Sequence, residues 1–117
     1  MFRCMCRSKI KGGRVTDKNI HYEGSITLDT DILNASGILP GEMVYVLNTS
    51  SGARVTTYTI EGEKGSGAMC LNGPAARYFE KGDDIIILAV SFVSEEELIK
   101  GWKLNITELD ENNRVKT

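Results

Sequence analysis

Residues 85–90 read Ile-Ile-Ile-Leu-Ala-Val, with Asp84 before them and Ser91-Phe92 after. An unbroken apolar run of that length reads as a β-strand covered on both faces, because a strand with one wet face alternates. It therefore belongs in the core of a sheet. The rest of the chain agrees: strand-like segments at 2–10, 25–28, 43–48, 54–60 and 69–71 are separated by Gly, Asn and Asp. Residues 49–53, Thr-Ser-Ser-Gly-Ala, join two of these as a hairpin loop. In 54–60 the strand period puts Arg54, Thr56 and Tyr58 on one face and Val55, Thr57 and Thr59 on the other. Two short helices interrupt the pattern. One follows the capping oxygens of Asp29-Thr30-Asp31 and stops at Gly37; the other starts at the Ser94/Glu97 capping box and stops at Gly101. The reading is a mainly β chain, a small barrel or sandwich, with a polar tail after Asp110 expected to fray.

The 117 residues suit a single domain, 1–117, large enough to fold without a metal or disulfide staple. No run approaches the roughly 18 apolar residues of a membrane span, and the basic first residues lack the apolar stretch of a signal peptide, so a cytoplasmic protein is expected. Three cysteines point to reduced thiols rather than a disulfide framework. The net charge of −2 offers no general attraction for nucleic acid or anionic membrane. Its distribution is uneven. Residues 1–24 carry Arg3, Arg7, Lys9, Lys11, Arg14 and Lys18 against Asp17 and Glu23, a local +4 that leaves −6 for the remainder. The excess is either a basic strand lying on an acidic body or a set of cations for an anionic ligand.

Most apparent motifs have simple structural explanations. Cys4 and Cys6, with only Cys70 and His21 elsewhere, make an unusual zinc set, and buried thiols account for them better. Gly62, Gly65 and Gly67 precede no helix and read as a flexible turn rather than a phosphate loop. Asp29 and Asp31 are explained by capping. His21, alone in the chain, is a weak candidate for a general base. Its neighbours matter more, since His21-Tyr22-Glu23-Gly24-Ser25 leads into a strand. Glycine at 24 permits backbone torsions that bring a carbonyl to the Ser25 hydroxyl, the arrangement of an internal acyl shift.

His21-Tyr22-Glu23-Gly24-Ser25, then Arg54-Val55-Thr56-Thr57-Tyr58, the Asn72-Gly73-Pro74-Ala75-Ala76 turn and Gly82-Asp83-Asp84-Ile85-Ile86-Ile87 together resemble the pyruvoyl-dependent aspartate 1-decarboxylase family. The resemblance covers residues 3 to 100 in order and spacing. It implies a six-stranded double-psi β-barrel with short helices and a homotetramer whose active sites lie between subunits. It also implies self-cleavage between Gly24 and Ser25 into fragments 1–24 and 25–117, leaving a pyruvoyl group derived from Ser25. That ketone supplies the electron sink that no ordinary side chain offers, with neither metal nor pyridoxal phosphate. The implied reaction converts L-aspartate to β-alanine and CO2, for pantothenate and coenzyme A, and an accessory maturation protein is found in part of the family.

By the same resemblance Tyr58 matches the proton donor, Arg54 the residue that grips the carboxylate kept in the product, with Lys9 nearby, and Thr57 a group assisting cleavage. Thr57 faces away from Tyr58 on a regular strand, so a twist or bulge is expected there. Asn72, Gly73, Pro74 and Ala75 complete the substrate site. Two departures stand out: Lys11-Gly12 replaces a His-Arg pair of the family, and Pro74 replaces Ala, removing a backbone N–H. The competing reading is a non-catalytic β-barrel that binds nucleic acid through residues 3–14 or binds a protein. The low aromatic content of 7% weighs against base stacking.

Overall fold

The computed structural model describes residues 1–117. Eight strands form, β1 (Phe2–Arg14), β2 (Asp17–Asn19), β3 (Ser25–Asp29), β4 (Met43–Asn48), β5 (Arg54–Gly62), β6 (Met69–Asn72), β7 (Asp84–Ser94) and β8 (Asn105–Glu108). Between them lie α1 (Thr30–Ser36), a 3-10 turn (Gly73–Tyr78) and α2 (Glu95–Ile99). They join in one sheet in the order β2-β6-β3-β5-β4-β7-β1-β8. The mainly β expectation holds. The ladder, however, is open: β2 and β8 end it with one partner each, so the pairing is an eight-stranded sheet rather than a closed six-stranded ring. One end strand, β2, nevertheless follows β1, the strand next to the other end, with only Val15 and Thr16 between them. Thr16 N–H donates to Met69 O at 2.9 Å and Val15 N–H to Asp83 O at 3.0 Å, carrying the chain from the β7 side to the β6 side.

Ile85, Ile87 and Ala89 of β7 lie in the core with Ile10, Val44, Val46, Ile26, Leu28 and Leu71, and α1 closes it with Ile32 and Leu33. Ile86, Leu88 and Val90 are only half-buried on the opposite face. The expectation of a strand covered twice is thus corrected for the single chain: one face is core and the other is an apolar outer surface continued by Met43, 57% exposed, and Phe92, 75% exposed.

Asp29 caps α1 by accepting from Asp31 N–H, and Gly37 ends the helix with φ +72. The buried Asp29 carboxylate also accepts from Gly65 N–H at 3.0 Å and Gly67 N–H at 2.7 Å. The glycine turn therefore wraps a carboxylate of the chain itself. Burial alone would raise this carboxyl, but the N–H groups of Gly67, Asp31 and Gly65, with Arg114 beyond, hold it below the usual carboxylate range. Ser94 caps α2 as its spacing predicts. The tail is ordered rather than frayed. Asn113, 2% exposed, donates to Arg14 O and Gly67 O and accepts from Arg14 N–H, side-chain bonds that hydrophobic patterning does not reveal. No helix is long and apolar enough to cross a membrane.

Candidate active site

The Gly24–Ser25 peptide sits where the chain enters β3. Antiparallel pairing of β3 with β6 sets Ser25 opposite Asn72 and Thr27 opposite Cys70. Because side chains alternate along strands, these four share one face while Ile26, Leu28, Met69 and Leu71 fill the core on the other. The polar face is tightly hydrogen-bonded. Asn72 Nδ2 donates to Ser25 Oγ at 3.0 Å and to Thr27 Oγ1 at 3.0 Å, Ser25 O–H donates to Glu23 O at 3.2 Å, and Cys70 S–H donates to Asn72 Oδ1 at 3.3 Å. Ser25 is 0% and Asn72 4% exposed, so bulk water competes little for these bonds. The Cys70 thiol, half-buried, is pushed up by burial and further by the charge of Asp17.

The turn after Asn72 reaches back to the same peptide. Gly73 has φ +76, and a Cβ there would lie 2.6 Å from Gly24 Cα and 2.7 Å from Gly24 N. Two glycine backbones are thus in direct apposition at Gly24. Pro74 and Ala75 follow, Pro74 exposed and Ala75 half-buried, with a Cβ added at Gly24 coming within 4.0 Å of Pro74 Cδ.

β5 passes on the other side of β3 in parallel, Ile26 against Thr59. Tyr58 is therefore one residue along from the partner of Ile26, beside the start of β3, and is half-buried. Its strand is regular. Arg54, Thr56 and Tyr58 face outward and Thr57, 6% exposed, faces the core, without the bulge that would bring Thr57 to Tyr58's side. Arg54 is exposed, its guanidinium carbon 5.4 Å from the centroid of the Tyr45 ring, and it has no carboxylate partner. Arg54 and Tyr58 are four residues apart, about 13 Å along a strand.

The basic first strand divides clearly. Arg3, Arg7, Lys11, Arg14 and Lys18 pair with Glu95, Glu42, Glu108, Asp84 and Glu80 respectively. Lys9 alone of that group has no carboxylate within ion-pair distance, and it is half-buried on the outer face opposite Leu88. The reading of a basic strand lying on an acidic body holds for these five cations, while Lys9 has no carboxylate partner within the chain. Lys9 and Arg54 lie on β1 and β5 with β7 and β4 between them, so one chain does not gather them around Ser25. The largest surface concavity, lined by Lys11, Arg14, Thr49, Asp84 and Lys116 among others, contains none of these residues.

Among the other candidates, His21 is exposed and its ring has no hydrogen-bond partner, and Cys4 is exposed rather than buried. Cys4 and Cys6 lie on β1 and Cys70 on β6, so the four candidate zinc ligands are not gathered. Thr27 and Cys70 are the site residues that sequence reading misses. Their signal is the strand alternation, which puts each two residues from a residue already singled out.

A family model described as aspartate decarboxylase matches residues 1–116. Proteins named aspartate 1-decarboxylase are similar over nearly their whole length. That of Geobacillus sp. (strain WCH70) is 49% identical over 98% of this chain and 90% of its own. That of Anoxybacillus flavithermus is 48% identical over 99% and 91%, and that of Thermoanaerobacter pseudethanolicus 48% identical over 97% of each.

Proposed function

Since the chain belongs to the aspartate decarboxylase family, a group of carboxy-lyases, we propose that it decarboxylates L-aspartate to β-alanine and CO2 through a pyruvoyl group made by its own cleavage at Gly24–Ser25. The observation that carries this reading is the buried Ser25 hydroxyl, held between the Glu23 carbonyl and the Asn72 amide beside two apposed glycines. A carbonyl group made at residue 25 would have the Asn72 Nδ2 amide within reach as a hydrogen-bond donor.

In cleavage, Ser25 Oγ adds to the Gly24 carbonyl carbon, the hydroxyl proton passes to the peptide nitrogen, and the C–N bond breaks to release the amine of residue 25, exchanging amide for ester. Loss of the Ser25 Cα proton then expels the Gly24 carboxylate and leaves a carbon–carbon double bond at residue 25, whose hydrolysis releases ammonia. Donors poised at an oxygen that gains negative charge accelerate such a step. Asn72 offers one to Oγ. Thr57 is assigned the carbonyl oxygen of Gly24, although its inward direction on β5 requires an approach from elsewhere than the Tyr58 face.

The pyruvoyl ketone supplies the electron sink for decarboxylation. The chain's residues do the rest. Lys9 and Arg54 bind the carboxylate that the product keeps, Arg54 through its planar fork. Their lack of internal carboxylate partners supports this role, because neither must abandon an ion pair to bind substrate. Tyr58 holds the proton delivered to the α-carbon. Asn72, Gly73, Pro74 and Ala75 border the substrate, with Pro74 contributing no N–H.

Arg54, Lys9 and Tyr58 are spread over the outer face, and that face carries exposed Met43 and Phe92. Both facts support a homotetramer in which one subunit's outer face meets a neighbour's Ser25. The short connection from β1 to β2 supports closure of the sheet as a double-psi barrel. A cytoplasmic location and a place in coenzyme A supply complete the reading. Intact mass of the purified protein tests it: fragments 1–24 and 25–117 are expected, and Ser25→Ala should remain whole and inactive. Cleaved Ser25→Ala would overturn the assignment, and a whole, inactive wild-type chain would leave a non-catalytic barrel.

A further inference from the structure

The Asn72 carboxamide has two ends of nearly equal size, and the two hydroxyls it faces accept either. Ser25 and Thr27 can receive hydrogen bonds from Nδ2 or donate them to Oδ1. The two orientations differ chemically. With Nδ2 toward Ser25, the hydroxyl oxygen receives an N–H and its own proton is free to point at Glu23 O, as observed. With the amide reversed, Ser25 would give its proton to Oδ1, and as Oγ lost that proton it would face a carbonyl oxygen instead of a donor. The orientation is decided on the third side of the amide, where Cys70 Sγ stands 3.3 Å from Oδ1. The thiol's other acceptor, Leu71 O, is 4.0 Å away. A thiol is a poor acceptor, so reversing the amide would leave an Nδ2 proton poorly paired and remove the thiol's nearer acceptor.

We propose that Cys70 is a positioning residue for self-cleavage, its S–H fixing the Asn72 amide so that Nδ2 points at Ser25 Oγ. Burial and the nearby Asp17 favour the protonated thiol, the form able to donate. The inference rests on the cleavage reading above but assigns a residue outside it, acting through Asn72 without touching the scissile peptide.

The test is a time course of precursor cleavage after pulse expression, read by intact mass, in wild type, Cys70→Ala, Cys70→Val and Cys70→Ser. Val retains the volume if Ala folds poorly, and thermal unfolding of each chain in a Ser25→Ala background checks the fold. Removing the donor should slow cleavage about five- to tenfold in both apolar variants, the scale of one modest hydrogen bond. Ser, which keeps a donor, should recover most of the rate. Wild-type rates in the Ala and Val variants would overturn the proposal, as would a Ser variant as slow as Ala, which would make the sulfur's packing responsible. Failure of the wild type itself to cleave would refute the cleavage reading and this inference with it, whereas normal cleavage in every variant would remove Cys70 alone.

Discussion

Adding one methyl group at residue 73 should damage the site far more than adding one at residue 24, although both are glycines of the same contact. At Gly73 the new Cβ would stand 2.6 Å from Gly24 Cα and 2.7 Å from Gly24 N, both backbone atoms, well inside the 3.4 Å at which ordinary contact begins. The left-handed φ of +76 adds a second cost. Left-handed backbone costs an L residue about 1–2 kcal/mol, and overpacking a tight site about 1–3 kcal/mol, so Gly73→Ala should lose about 2–5 kcal/mol. At Gly24 the nearest atom to an added Cβ is Pro74 Cδ at 4.0 Å, and Gly24→Ala should lose less than about 1 kcal/mol. Urea unfolding in a Ser25→Ala background, at one protein concentration, compares the two without interference from cleavage. In the Ser25-containing chain Gly73→Ala should also slow cleavage, because the scissile backbone must move to admit the methyl. Equal stability of the two variants would refute the close approach.

Tyr58→Phe should still yield both fragments and a pyruvoyl group, while β-alanine release falls about 10²–10⁴-fold, the usual effect of losing a general acid. Near-normal release would return Tyr58 to a packing role. Arg54→Ala should cleave normally but bind aspartate about 2–5 kcal/mol more weakly, measured by substrate titration; unchanged affinity would remove Arg54 from the substrate site. Asp29→Asn should cost about 1.5–3 kcal/mol near neutral pH, since its N–H partners lose a charged acceptor. Its folded-state carboxyl is held below the ordinary value, so this stabilisation is present above about pH 4 and lost as pH falls through the folded value. Unfolding free energies of wild type and Asp29→Asn should therefore converge in acid, and a constant gap down to pH 2 would contradict the sign.

Local chemistry was legible where a few neighbouring residues decide it. Both helix caps, the 49–53 hairpin and the two faces of β5 follow from spacing, and β5 keeps its regular period through Thr57, which therefore stays on the face opposite Tyr58. Long-range register was not legible. Ser25 and Asn72 are 47 residues apart and meet only because β3 pairs with β6, and Thr27 and Cys70 enter the site by the same pairing. The order of the tail is not legible in the sequence, because Asn113 is fixed by polar bonds to Arg14 and Gly67, which apolar periodicity cannot register.

The apolar outer face of β7 points beyond the single chain. Its apolar run implies two covered faces, yet Ile86, Leu88 and Val90 stay half-open, in the sheet that also carries Lys9 and Arg54. A surface strand pays no penalty for polar residues there, so an apolar outer face is costly in water unless something covers it. The same face presents two cations, Lys9 and Arg54, without carboxylate partners inside the chain. The proposed interface between copies would account for both features, burying the aliphatic side chains and bringing these cations to a neighbour's Ser25. Replacing Leu88 with Lys should then lower the oligomeric state and activity together while leaving cleavage intact within a folded chain. Activity retained by a monomeric Leu88→Lys protein would show that one chain holds a complete site.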